Sequence, residues 1–90
     1  MFNFGRKPSV ETTIRKKLES SFDESVRDAI RELGSNDPLF GGLMVQAAIG
    51  HLYQALKSSR ELESVCDLNG LDYQSILEDE CNKALKKYLE

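Results

Sequence analysis

Residues 10–38, VETTIRKKLESSFDESVRDAIRELGSNDP, carry a long helical repeat, a stop signal and a second start signal. Apolar residues recur at spacings of three and four, which is the repeat of an amphipathic helix. They are Val10, Ile14, Leu18, Phe22, Val26 and Ile30, joined by Ala29 and Leu33. Each step of four drifts by about 40° around the axis, so the apolar stripe winds along the helix. The pattern predicts a helix over 10–33 with Ser9 as its N-cap.

Boundary signals frame this helix. Gly34 is suited to the left-handed position that ends a helix, and Asp37 followed by Pro38 is typical of an N-cap and the first residue of the next helix. Ser21 and Glu24 have capping-box spacing, which leaves a break at Ser20–Ser21 as an alternative. We favour a single long helix, bent at that point.

Residues 39–56, LFGGLMVQAAIGHLYQAL, form the most apolar segment of the chain. On a helical projection the apolar residues cover an arc of roughly 240°, which is wider than one packing face requires. Such a helix lies in the middle of a bundle or is shared between two subunits. Glycine, glutamine and histidine interrupt the segment, which argues against a transmembrane helix.

The rest of the chain predicts two more helices. A short helix follows Ser58 or Ser59, where Ser58 and Glu61 have capping-box spacing. The pair Asn69–Gly70 supplies residues that adopt positive φ in a turn, and Asp72 is suited to cap the last helix. We therefore predict an all-α single domain over 1–90, a small helical bundle with three main helices at 10–33, 38–58 and 72–89, a short fourth at 60–66, the helix at 38–58 in the centre and a flexible segment at 1–8.

The composition is that of a soluble globular protein, with 40% hydrophobic and 30% charged residues and a net charge of -3. The charge is uneven: residues 1–17 carry +4, residues 18–82 carry -9 and the last eight carry +2. The negative total disfavours nucleic-acid binding by the whole domain. Only the basic N-terminal segment, with Phe2 and Phe4 beside Arg6 and Lys7, is a candidate for contact with nucleic acid or an anionic surface.

Cysteine usage and the N-terminus favour a cytoplasmic protein. The chain has two cysteines, Cys66 and Cys81, which are too few for a disulfide framework. The first residues lack the apolar region of a signal peptide. We expect both thiols to be reduced and largely buried.

The residues that carry chemistry do not assemble into a catalytic or metal-binding motif. His51 is the only histidine, and Glu80 lies at the edge of the apolar face of the last helix, so a buried contact between them is one possibility. A calcium loop around Gly70 fails because Val65 and Ile76 would occupy ligand positions that require oxygen. We predict no catalytic residue, no cofactor and no metal.

These observations favour a non-enzymatic protein-interaction or adaptor module that self-associates through its apolar central helix as a homodimer, or that binds another protein partner. One alternative is a regulator that contacts nucleic acid or an anionic surface through its N-terminus. A second is a ligand-binding bundle that uses His51 and Glu80. The predicted interface residues are Phe40, Leu43, Met44, Ala47, His51 and Tyr53.

Overall fold

The computed structural model describes residues 9–33 and 38–89, except for the side chains of Leu33 and of residues 38–40. Within these ranges the chain forms four helices and no strand, which confirms the predicted all-α bundle of three main helices and one short helix. The helices are α1 (Val10–Leu33), α2 (Pro38–Lys57), α3 (Arg60–Leu68) and α4 (Tyr73–Leu89). The boundaries differ from the predicted ones by at most two residues, at the end of α3.

Serine and aspartate side chains fix the helix starts. The Ser9 Oγ accepts from the Thr12 backbone N–H at 3.1 Å, as predicted for α1. Asp72 caps α4 in the same way, with its Oδ1 accepting from the Ser75 N–H at 3.3 Å. The predicted caps at Gly34 and Asp37 lie outside the described residues.

The start of α3 differs from one of the two predicted positions, because Ser59 rather than Ser58 is its N-cap. Ser59 Oγ accepts from the Leu62 N–H at 3.4 Å. Ser58 still belongs to the end of α2, since its N–H donates to the Ala55 carbonyl at 3.2 Å and its hydroxyl to the Gln54 carbonyl at 3.4 Å. A residue whose backbone completes one helix is not available to open the next.

The end of α3 requires glycine. Gly70 has a φ of 69°, its N–H donates to the Asp67 carbonyl at 3.2 Å, and the Leu71 N–H donates to the Cys66 carbonyl at 2.8 Å. This pair of bonds is the Schellman motif with glycine at the left-handed position. Asn69 has a φ of -109°, so the prediction of positive φ holds for Gly70 and is wrong for Asn69.

α1 is continuous, as favoured from the sequence, and does not break at Ser20–Ser21. The Ser21 hydroxyl donates to the Lys17 carbonyl at 2.9 Å, one turn earlier in the same helix. A serine satisfied in this way is accommodated inside a helix without acting as a cap.

The three long helices form a triangular bundle. Each of α1, α2 and α4 packs against the other two, and α3 packs on α1 and α4. The Tyr73 hydroxyl donates to the Leu56 carbonyl at 2.6 Å, so the start of α4 meets the end of α2 and the two run antiparallel. Ion pairs of Arg15 with Glu80 and of Lys87 with Asp23 show that α1 and α4 run parallel. The prediction that 38–58 is the central helix is therefore wrong, because α1 and α4 also touch each other.

The core lies between the long helices and is closed at one side by Cys66 of α3. The winding stripe of α1 is buried only in its middle, and Ile30, near its end, is 50% exposed. α1 extends over about 36 Å and is longer than the helices packed on it, so the ends of a drifting stripe leave the core. The buried apolar residues are Ile14, Leu18, Phe22, Val26, Val45, Ile49, Cys66, Tyr73, Ile76, Leu77 and Ala84.

Candidate functional site

α2 presents apolar residues on two sides, and the bundle buries only one of them. Val45 and Ile49 lie in the core, with Leu52 and Leu56 partly buried beside them. The residues on the opposite side face solvent, and Leu43 is 57% exposed. We call this opposite side the α2 outer face; its exposed residues are Leu43, Met44, Ala47, Gly50, His51, Gln54 and Ala55.

The α2 outer face carries no charge. α2 contains no Asp, Glu, Lys or Arg before Lys57, in a chain of which 30% of the residues are charged. Solvent-exposed helix faces normally carry charged residues, whereas the centres of protein interfaces are depleted in them. The core of a single chain therefore buries only part of the wide apolar arc of α2.

A groove of about 370 Å³ runs between the α2 outer face and α1. Small side chains keep it open: Ala47, Ala48 and Ala55 on the α2 side face Ala29 and Ser25 on the α1 side. Met44, His51, Leu52 and Glu32 complete its lining.

Glycines of α2 do not make close contacts inside the chain. A Cβ built on Gly41, Gly42 or Gly50 meets no atom within 4 Å. None of the three glycines is therefore required for close packing within the described chain. Gly50 instead leaves a smooth, open position in the α2 outer face.

Three of the predicted interface residues meet in the groove. Met44, Ala47 and His51 line it, and Leu43 is exposed on the same outer face. Tyr53 lies apart from them at the contact with α4, where its hydroxyl accepts from Gln74 Nε2 at 2.9 Å. The side chain of Phe40 lies outside the described part of the structure.

His51 and Glu80 have separate surroundings. His51 is exposed in the groove, whereas Glu80 is buried, with a relative exposure of 4%. Glu80 Oε2 accepts from Arg15 Nη1 at 2.9 Å and from Lys83 Nζ at 3.1 Å. The buried carboxylate is thus neutralised by two cations of its own bundle, and no hydrogen bond joins it to His51 among the described residues.

Arg15 is a candidate functional residue that was not identified from the sequence. Besides Glu80 it holds Asp79 Oδ2 at 3.0 Å and, through its Nε, Glu11 Oε2 at 2.9 Å. Its hydrogen bond to Glu80, followed by the one to Glu11, raises the pKa of Arg15 above its ordinary value. The helical spacing of Glu11 and Arg15 was visible in the sequence, but the contacts with α4 depend on tertiary packing.

A second polar cluster joins the middle of α1 to the end of α4. The Tyr88 hydroxyl donates to Asp23 Oδ1 at 2.6 Å, and Lys87 Nζ lies 3.1 Å from the same oxygen. The hydrogen bond from Tyr88, followed by the one from Lys87, holds the pKa of Asp23 below its ordinary value. Some basic residues near the two ends of the chain therefore form ion pairs with acidic residues of its middle segment.

The cysteines are free thiols, with Cys66 buried and Cys81 partly buried. Burial raises the pKa of both thiols, which keeps them protonated and weakly reactive. In the described ranges no group of three His, Cys, Asp or Glu side chains is arranged to hold a metal ion. Every buried polar side-chain atom there has a hydrogen-bond partner.

None of the helices described in the structure is both long enough and apolar enough to span a membrane. Phe2, Phe4, Arg6 and Lys7, the predicted contacts to nucleic acid or an anionic surface, lie outside the described residues. Comparison of the chain with protein-family models, with curated proteins and with solved structures finds no match.

Proposed function

We propose that this chain is a non-enzymatic protein-interaction module that self-associates through the α2 outer face, with a second copy as the occupant. The observation that carries the proposal is an exposed helix face that is apolar at Leu43, Met44 and Ala47 and has no charged residue. Covering such a face removes apolar surface from water, which stabilises association by roughly 25 cal/mol per Å² before the cost of immobilising two chains.

The size of the surface fits a small dimer interface. α2 is 20 residues long, which corresponds to about 30 Å. Together with the adjoining wall of α1 it offers on the order of 600 Å² per copy, at the lower end of the range for specific interfaces. A second copy satisfies this face by presenting an equally uncharged one. We therefore expect a reversible dimer whose population depends on concentration.

The other candidate functions have less support. A ligand site built from His51 and Glu80 needs the two side chains to converge, and Glu80 is instead occupied by Arg15 and Lys83. Binding of nucleic acid rests on the N-terminal segment alone. A cytoplasmic location stays a prediction, with which two free thiols are compatible.

A single charge placed in the α2 outer face tests the proposal. Ala47→Glu introduces a carboxylate at the centre of the exposed face, where each copy would have to bury it without a partner. We expect the dissociation constant of the dimer to rise by at least about tenfold, with the free energy of unfolding of the monomer changed by no more than about 0.5 kcal/mol. Sedimentation equilibrium measures the first quantity and urea denaturation of dilute protein the second.

Asn82→Glu is the matched control, because Asn82 is exposed on α4, away from the α2 outer face. It adds the same charge to the chain, so a general electrostatic effect would appear in both variants. Equal self-association of the Ala47→Glu variant and the wild-type protein would rule out this face as the interface.

A further inference from the structure

A trough between α1 and α2 extends beyond the groove described above. A second depression, of about 630 Å³, is lined by Lys17, Ser20, Ser21, Glu24, Ser25, Asp28 and Leu52. It shares Ser25 and Leu52 with the first groove, so the two are continuous. From Lys17 to Glu32 the trough follows α1 for about 22 Å, which is the length of four turns of a docked helix.

The two walls of the trough differ in charge. The α2 wall is apolar and uncharged as far as Leu56. The α1 wall carries Lys17 at one end of the trough and then Glu24, Asp28 and Glu32, whose spacing of four places them along one edge of the helix. Of these three exposed carboxylates only Asp28 has an ion-pair partner among the described residues, Arg31 at 3.5 Å.

We propose that this trough binds an amphipathic helix of a partner protein, with basic residues at positions i, i+4 and i+8 along one edge. The apolar face of that helix packs on Ala47, Ala48 and Leu52, and its basic edge meets the carboxylates of α1. Helices commonly bind in this way, with apolar anchors in a groove and complementary charges at its rim.

Charge complementarity favours a basic helix as the occupant of the whole trough, whereas a second copy covers the α2 outer face alone. A second copy of the chain contributes its own uncharged α2 outer face, which covers the apolar wall but leaves Glu24 and Glu32 unpaired. Nucleic acid is repelled by the same carboxylates. Only a helix that is apolar on one side and basic at one edge matches both walls.

Binding of a partner helix in the trough does not depend on self-association through the α2 outer face. A docked helix and a second copy use Met44, Ala47 and His51 in common, so binding of one excludes the other. The partner helix is therefore expected to convert any dimer into a one-to-one complex.

A designed peptide of about eighteen residues tests the trough, with leucines on one face and lysines at i, i+4 and i+8 along one edge. A fluorescent label reports its binding by anisotropy, at protein concentrations below the range of self-association. We expect the peptide to bind the wild-type chain, and the triple variant Glu24→Lys, Asp28→Lys, Glu32→Lys to bind it about tenfold more weakly. All three positions are exposed, so the variant should retain its helical circular dichroism spectrum.

A matched triple variant changes Glu63, Asp67 and Glu78 to lysine, and these residues are exposed on α3 and α4. It has the same net charge as the trough variant and should bind the peptide within about twofold of wild type. A peptide with glutamate in place of lysine should bind the trough variant more tightly than it binds the wild-type chain.

If the lysine peptide fails to bind, or if the two triple variants weaken its binding equally, the trough is not a site for a basic helix. Neither result affects the mass measurement that tests self-association, so each proposal can be contradicted without the other.

Discussion

Single residues hold α1 and α4 together, and Glu80 is the most constrained of them. Its carboxylate is buried and accepts hydrogen bonds from Arg15 and Lys83. A buried carboxylate is tolerated when cations and hydrogen bonds compensate for its lost hydration. Arg15 makes the shorter of the two contacts, 2.9 Å against 3.1 Å for Lys83, and also reaches Asp79, so it connects the start of α1 to the middle of α4.

We expect Arg15→Ala to lower the free energy of unfolding by about 2 kcal/mol, because Glu80 is left with Lys83 as its only cation. The effect stays below that of a fully buried pair, since Arg15 is itself partly exposed. Arg31→Ala is the control: it removes an exposed pair with Asp28 and should cost no more than about 0.5 kcal/mol. Urea denaturation followed by circular dichroism measures both, and equal losses would contradict the special role of Arg15.

Asp23 gives the fold a dependence on acid pH. The hydrogen bond from Tyr88 keeps the pKa of Asp23 below its ordinary value of 3.8 in the folded chain. A carboxyl with a lowered folded-state pKa contributes stability that is complete above the unfolded pKa and is lost as pH falls through the folded one. This contribution is therefore present at pH 7 and disappears below about pH 4.

Asp23→Asn should lower the free energy of unfolding by about 1 kcal/mol at pH 7 and by less at pH 3, where the wild-type carboxyl is becoming protonated. Chemical denaturation at the two pH values measures this difference. A loss that is the same at both pH values would show that the ionised carboxylate is not what stabilises the contact with Tyr88.

At the scale of helices, two glycines serve different purposes. Gly70 has a φ of 69°, whereas Gly50 lies inside α2 with open space where a side chain would stand. Glycine inside a helix costs about 0.5–1 kcal/mol relative to alanine, and this cost has no compensation in the packing of the single chain. A glycine whose cost to the helix is not offset by packing within the chain is expected where another molecule approaches the helix closely.

Substituting alanine at the two positions should therefore have opposite effects on the monomer. Gly50→Ala should raise the melting temperature by about 4 °C, because it favours the helix and meets no atom. Gly70→Ala should lower it by a similar amount, since a side chain is strained at positive φ. Calorimetry on dilute protein compares the two, and destabilisation by Gly50→Ala would show that the position is packed within the chain.

Local signals in the sequence predicted the helices well. Ser9 and Asp72 cap helices through bonds to residues three positions on, and Gly70 ends α3, so each of these signals is contained in a few consecutive residues. The same locality explains the misassigned cap at Ser58, where two adjacent serines both matched the pattern and only the end of α2 distinguishes them.

Contacts distant in sequence were not predictable from the pattern. Arg15 meets Glu80 across 65 positions of the chain, and nothing in the spacing of either helix fixes that register. The contact considered between Glu80 and His51 paired two residues near apolar faces, but His51 is exposed on α2 whereas Glu80 of α4 meets Arg15 of α1. The amphipathic pattern predicts that a residue lies near a core and leaves open which helix it meets.

At the scale of the whole molecule, burial is uneven between the two apolar sides of α2. α1, α2 and α4 bury one face each and share a core closed by α3, while the α2 outer face remains uncovered. A domain of this size buries only about 60–65% of its unfolded surface, so we expect that covering the α2 outer face would add to its stability.

The most direct test of self-association is the absolute mass of the wild-type chain in solution, measured by light scattering over about a hundredfold range of concentration. We predict that the mass rises from the 10.2 kDa of a single chain towards twice that value as the concentration increases. A mass that stays at 10.2 kDa at every concentration would contradict a shared α2 outer face.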